Sequence, residues 1–159
     1  MPAVARLLVL GGGCRGRQLA AEVVAEGHAA RIVTRSEARR GEIEAVGAQC
    51  FIGDPNRLGT LRGALEGVTV ACWLLADATG PPQELQELHA SRLPAFLGSA
   101  VDSTLRGFVY EAPEAPSEGA QLVEEVASRN AISAVALTAE PRDVGLWLRA
   151  ARATLSLYL

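Results

Sequence analysis

Lysine is absent: all 15 residues of the Lys+Arg total are arginines, so every mechanism that needs this chain to supply a lysine is excluded. No segment approaches the ~18 consecutive apolar residues of a membrane span. Arg6 and the glycines behind it also interrupt the N-terminal apolar stretch short of a signal-peptide core, so a cytoplasmic protein with no membrane partner is expected. No basic run offsets the formal net charge of −3, which argues against a nucleic-acid partner and leaves any phosphate binding to a local site. The three cysteines, Cys14, Cys50 and Cys72, are odd in number and lack both metal-ligand and disulfide-framework spacing. Cys50 and Cys72 fall in expected strands and read as small core residues, and no metal site is expected. Internal repeats and low-complexity segments are missing as well.

What remains is 159 residues, 49% hydrophobic and 21% charged. That is the composition of one ordinary globular domain, 1–159, with room for a proper core. Its most informative stretch runs from Val4 to Ala20. An apolar run of strand length stops at Leu10, and Gly11, Gly13 and Gly16 then fall at the spacing G-x-G-x-x-G before a segment with helical apolar spacing. Gly11 permits the sharp turn, Gly13 lets the backbone approach a pyrophosphate, and Gly16 lets the helix pack closely on the sheet. The helix N-terminus then presents unpaired N–H groups to the phosphates. Cys14 lies beside this turn, where a helix N-terminus lowers a thiol pKa, and is a contact and redox candidate.

A first helix to about Glu26, stopped by Gly27, leads to a second strand over Ala29–Thr34. Thr34, Arg35 and Ser36 end it, ~20 residues after the glycines, where a carboxylate would hold the ribose 2′-hydroxyl of one dinucleotide and an arginine would pair with the 2′-phosphate of the other. Arg35 is the candidate for that phosphate and Arg15 a second one from the glycine turn. The plainer alternatives are a solvated Arg35 beside a helix cap at Ser36 and an Arg15 without a ligand. Arg39 and Arg40, on a weak second helix over 37–46, are expected to face solvent. Strand three, Gln49–Ile52, runs into Gly53-Asp54-Pro55. Asp54 either accepts from an adenine amino group or caps a third helix beginning near Asn56 and carrying Leu58, Leu61 and Leu65.

Strand four, Val68–Ala76, is the longest apolar run and reads as central and parallel. Ala76 and the loop Asp77-Ala78-Thr79-Gly80 are expected over the nicotinamide ribose. A long helix over 83–102, strand five at Gly107–Glu111, a helix over 118–129, strand six at 131–137 and a last helix over 143–157 complete the alternation. With right-handed crossovers this predicts an α/β, doubly wound, six-stranded parallel sheet in the order 3-2-1-4-5-6.

Gly-Gly-Gly-Cys-Arg-Gly-Arg-Gln-Leu-Ala, then Thr-Arg-Ser, Gly-Asp-Pro, and Ala-Leu-Glu-Gly-Val before an apolar strand together resemble the atypical or extended short-chain dehydrogenase/reductase group. That group includes NAD(P)-dependent epimerase-like and NAD(P)H-binding, NmrA-like proteins. The resemblance covers about residues 4 to 76. It implies a Rossmann domain with NADP(H) as the preferred cofactor and NAD(H) as an alternative. It matches Gly11, Gly13, Arg15 and Gly16 to the dinucleotide turn, Arg35 to the 2′-phosphate position and Asp54 to the adenine contact. The group's catalytic pair, Tyr-x-x-x-Lys, has no counterpart: Tyr110 is followed four residues later by Glu114. The serine expected after strand five is Glu111 or Ala112, and nothing matches the C-terminal substrate domain of epimerase-like members.

Three readings follow. The first is a reductase of the flavin or biliverdin type, in which the bound nicotinamide supplies the hydride and the protein mainly orients it, with Glu111, Asp77 or Tyr110 assisting protonation of an unidentified small substrate. The second is a catalytically inactive dinucleotide sensor that changes its contacts with a protein partner. The third is an interaction domain that has lost its ligand. The nicotinamide-sensing domains of potassium-transport regulators are similar in the glycine turn, but usually carry an acid where Arg35 stands. A homodimer through the helices flanking strand five is expected, and the apolar ending Leu155 to Leu159 suggests docking, either within the chain or between copies.

Overall fold

The apolar residues of the first strand alternate between two cores, and that alternation builds the molecule. The computed structural model describes residues 4–11, 13–76, 78–111, 118–140 and 142–159. In β1 (Arg6–Gly11), Leu7 and Val9 face one layer of helices, while Leu8 and Leu10 face the other. Burial on both faces requires helices on both sides of the sheet, as a parallel arrangement supplies. After β1 come α1 (Gly13–Ala25), β2 (Ala29–Thr34), a 3-10 turn over Glu37–Arg39, α2 (Arg40–Ala45), β3 (Gln49–Ile52) and β4 (Val70–Leu74). Next are α3 (Pro82–His89), α4 (Arg92–Ser99), β5 (Gly107–Glu111), α5 (Glu118–Arg129), β6 (Ser133–Leu137) and α6 (Val144–Leu155). The six strands form one sheet in the order β3-β2-β1-β4-β5-β6, parallel at every pairing. The expected topology is the observed one, and all five residues of β4 are buried, as a central strand requires.

One core layer holds Trp73, Phe108 and Tyr110 from the sheet against α3, α4 and α5. Its spine is aromatic, with Trp73 to Phe96 at 5.3 Å and Phe96 to Phe108 at 6.0 Å between ring centroids, within the range where ring pairs add to area burial. The other layer packs Leu7, Val9, Cys72 and Val109 against Leu19 and Val23 of α1 and Trp147 and Ala151 of α6. Asp143 caps α6 by accepting from the Leu146 N–H at 3.1 Å.

Two expected helices are not found. The long helix over 83–102 is two helices, broken at Ala90, because Pro94 has no N–H to give and its ring excludes a helical carbonyl four residues earlier. The break releases the Leu88 carbonyl, which accepts from the Trp73 indole at 3.2 Å. The third helix is only a 3-10 turn at Leu58–Leu61 followed by turns. Buried Arg31 of β2 supplies the missing order: its Nη1 donates to the carbonyls of Ala64 at 2.5 Å and Glu66 at 3.0 Å, while its Nε donates to the Gln49 side chain.

The C-terminal residues dock on their own sheet. The Tyr158 ring lies where a side chain on Gly107 would stand, 2.7 Å from an added Cβ, and its hydroxyl donates to the Ser133 hydroxyl at 2.7 Å. Leu155 is buried, whereas Leu157 points outward. No helix among the described residues is long and apolar enough to cross a membrane.

Candidate functional site

At the carboxyl edge of the sheet, β1, β2, β3 and β4 all deliver their following loops to one place, the crevice where doubly wound sheets bind ligands. The first turn is compressed: β1 ends at Gly11 and α1 begins at Gly13. Gly11 holds φ +84°, and a Cβ there would stand 2.6 Å from the Leu74 carbonyl oxygen. A Cβ on Gly16 would sit 2.7 Å from the Gly11 carbonyl oxygen, so glycine is what lets α1 close on the strand. At Gly13 an added Cβ meets no protein atom within 4 Å; the space beside it is cavity.

That cavity measures about 300 Å³ and brings together Gly11, Gly13, Thr34, Arg35 and Asp54 from the expected set. It adds residues that sequence reasoning did not assign to the site: Arg39, Asn56, and Leu85 and Leu88 of α3, which close its apolar side. The Asn56 side-chain oxygen is buried and has no hydrogen-bond partner among the described residues, an orphaned acceptor on a residue lining a cavity whose wall mixes apolar side chains with Thr34, Arg35, Arg39, Asp54 and Glu84. Asp54 caps no helix, because none forms there. Its Oδ1 instead accepts from the Asn56 N–H at 2.9 Å and shapes the turn that carries that amide. The Asn two residues after Asp54 is the signal that identifies such a turn from sequence. A glycine cradle, an orphan acceptor and an apolar wall fit a nucleotide's phosphates and base.

Arg35 is exposed and forms no ion pair or hydrogen bond among the described residues, so its fork is open to an anion. Ser36 is a cap, accepting from the Ala38 N–H at 3.1 Å. Cys14 and Thr34 line an adjoining recess of about 190 Å³ with Arg17 and Arg39. Arg39 is therefore exposed yet belongs to the cavity wall, whereas Arg40 is held by Glu37 through Nε at 2.7 Å and Nη2 at 2.8 Å.

Arg15 departs from the expectation. It is 4% exposed and lines neither space. Its guanidinium pairs with Glu111 at the end of β5 and stacks on Trp147, 4.6 Å from the ring centroid. Glu111, 2% exposed, spends both oxygens: Oε1 accepts from Arg15 and from the Trp147 indole at 3.1 Å, and Oε2 from the Ala76 N–H at 2.9 Å. Ala76 is thus tied through its backbone to β5 and lines neither space. Tyr110 points into the opposite layer, donates to Glu124 at 3.2 Å, and has its pKa pushed up to about 12 by burial and then by that carboxylate. Neither side chain is presented to the cavity. Asp77 lies outside the described residues.

His89, at the end of α3, is the ionisable group that sequence reasoning passed over. Burial pushes its imidazole pKa below the usual value, against the opposing pull of the Leu75 backbone and of Glu111, and its Nδ1 has no partner among the described residues. It stands one residue before the break at Ala90. A larger cavity, about 550 Å³, opens at the amino edge among Leu58, Leu65, Phe96 and Thr104. Gly63 and Gly67 also line it, and it lies at the opposite edge from the loops that converge after β1, β2, β3 and β4.

No protein-family model and no curated protein matches the chain. Solved structures do. Vestitone reductase from alfalfa (Medicago sativa L.) superposes with a TM-score of 0.62 at 15% identity, over 82% of this chain and 55% of that one. The Citrobacter sp. triphenylmethane reductase complexed with NADP(H) gives 0.59 at 17% identity, over 82% and 48%. A putative NAD-dependent epimerase/dehydratase from Bacillus halodurans gives 0.65 at 17% identity, over 83% and 68%. The chain spans about half the length of the two reductases. These neighbours are two reductases and a putative epimerase/dehydratase, and what this chain shares with them is the fold, a doubly wound parallel sheet with helices on both faces.

Proposed function

We propose that this chain binds NADP(H), with NAD(H) as the weaker alternative, and serves an oxidoreductase of the flavin or biliverdin reductase type. The observation that carries this is the carboxyl-edge cavity, in which the glycine turn, the open Arg35 fork and the orphaned Asn56 oxygen face one space. The fold it shares with a reductase complexed with NADP(H) supports the reading. In it, the backbone N–H groups at Gly13 and the start of α1 hold the pyrophosphate, Asn56 accepts from the adenine amino group, and Arg35 pairs with the 2′-phosphate. The nicotinamide, when bound, supplies a hydride. The chain's own contribution is orientation. Glu111 locks the Ala76 backbone and Arg15 together, so the end of β4 and the base of the glycine turn keep a fixed distance.

A second reading, a catalytically inactive dinucleotide-sensing or interaction module, is favoured by a separate observation. The two described acid–base candidates, Glu111 and Tyr110, are both buried and committed to other partners. Cofactor-dependent reduction of flavins or quinones by the purified protein decides between the two readings.

Equilibrium binding of NADPH and NADH to the wild type and to Arg35→Ala tests the shared claim. Loss of a charge-assisted pair predicts about tenfold or more weaker NADPH binding with NADH little changed. Failure of the wild type to bind either cofactor at millimolar concentration overturns the reductase and the dinucleotide-sensor readings together and leaves an interaction module.

A further inference from the structure

Beside Arg35 the structure holds two more guanidinium groups and one carboxylate that touches both. Arg17 of α1 and Arg39 line the recess next to Thr34. Glu42 of α2 reaches back to them: its Oε2 lies 3.4 Å from Arg17 Nη1 and 3.1 Å from Arg39 Nη1, and its Oε1 lies 3.4 Å from Arg39 Nη1. Each arginine meets Glu42 through one terminal nitrogen, so the rest of each fork is uncommitted to it. The two side chains belong to different elements, and Glu42 is the one carboxylate among the described residues that pairs with either.

The geometry points to Glu42 as the residue that sets how strongly the site prefers the phosphorylated dinucleotide, by acting as an internal counter-ion to Arg17 and Arg39. This rests on reading the carboxyl-edge cavity as a dinucleotide site. A 2′-phosphate brings close to two negative charges into the space these arginines border, and there it competes with a carboxylate already in place. A 2′-hydroxyl brings none, and for that cofactor Glu42 neutralises cations that would otherwise stand uncompensated. The side chains of Arg17, Arg39 and Glu42 are 23%, 57% and 49% exposed. At such exposure the pairs hold their geometry weakly, so competition outweighs any orienting effect. Arg35, on the other side of Thr34, makes no contact with Glu42 and attracts the phosphate independently.

The test is binding of NADPH and NADH to the wild type, Glu42→Gln, Arg17→Ala/Arg39→Ala, and the triple variant that combines them. Glu42→Gln is expected to tighten NADPH about two- to fivefold, to leave NADH unchanged, and to show less gain at high ionic strength. In the Arg17→Ala/Arg39→Ala background the same substitution is expected to have no effect on the NADPH/NADH ratio. A ratio that stays level or falls in Glu42→Gln, or an equal gain in the background lacking both arginines, overturns the role given to Glu42. If NADPH binding depends on Arg35 while that ratio is unmoved, only this inference fails. If the wild type binds neither cofactor, the dinucleotide reading fails and takes this one with it.

Discussion

Arg15 and Glu111 are 96 residues apart in sequence, yet they form the buried ionic contact on which the turn, β4, β5 and α6 all meet. Burying two charges costs several kcal/mol each and is offset only when the pair is close and its remaining atoms are satisfied. Here the Trp147 indole and the Ala76 N–H complete the carboxylate, and the Trp147 face covers the cation. Removing one partner leaves the other charged and buried. Arg15→Met is therefore expected to lower unfolding free energy by about 3–5 kcal/mol. Arg15→Met/Glu111→Gln is expected to recover part of that loss, because the neutral amide keeps an acceptor for Ala76 and Trp147. Urea unfolding of the wild type, both single variants and the double variant measures the coupling; strictly additive losses would contradict it. None of this was legible locally. The glycine spacing identifies a turn that closes on a phosphate, but the side chain between two of its glycines is placed by a strand almost a hundred residues on. Asp54 and Ser36 were half legible: turn chemistry identified residues that bond to the backbone, and only tertiary packing decided what each one bonds.

Among elements, alternation and caps were enough for the strands. β2, β3 and β5 begin and end where apolar runs and glycines say they do; β2 and β5 carry the apolar signature of strands buried on both faces, while the edge strand β3 is half-buried at Cys50 and Phe51 and exposed at its ends. The helices were harder. An apolar stripe reads as continuous through Pro94, and Leu58, Leu61 and Leu65 have helical spacing, yet Pro94 breaks the first and Arg31, from a strand, holds the second as turns. The break has a structural consequence at Gly119, the second residue of α5. A Cβ there would lie 2.4 Å from the His89 carbonyl oxygen and 2.5 Å from that of Ala90, both backbone atoms. Gly41 is the opposite case, a glycine inside α2 with an ordinary φ and no atom within 4 Å of an added Cβ. Gly41→Ala is expected to stabilise by about 0.5–1 kcal/mol. Gly119→Ala is expected to destabilise by about 1–3 kcal/mol. Thermal melts of the two variants check both signs, and a stable Gly119→Ala would mean that α5 does not press on the break.

At the scale of the molecule, topology decides where a ligand can sit. Four consecutive loops, after β1, β2, β3 and β4, converge on the carboxyl edge around one cavity, and this was legible because the strand order follows from right-handed crossovers. What topology did not disclose is the wall: α3 folds its Leu85 and Leu88 over that cavity, and Asn56 turns into it. The amino-edge cavity is larger, so size alone would point to the opposite end of the sheet. Hydrogen–deuterium exchange of the protein with and without saturating NADPH is the direct measurement. Protection is expected in the turn after β1 and the first turn of α1, in 33–36, in 53–56 and along α3, with exchange unchanged in 58–67 and 96–104. Protection centred on 58–67 and 96–104, or none at all, would contradict the assignment of the carboxyl-edge cavity as the dinucleotide site.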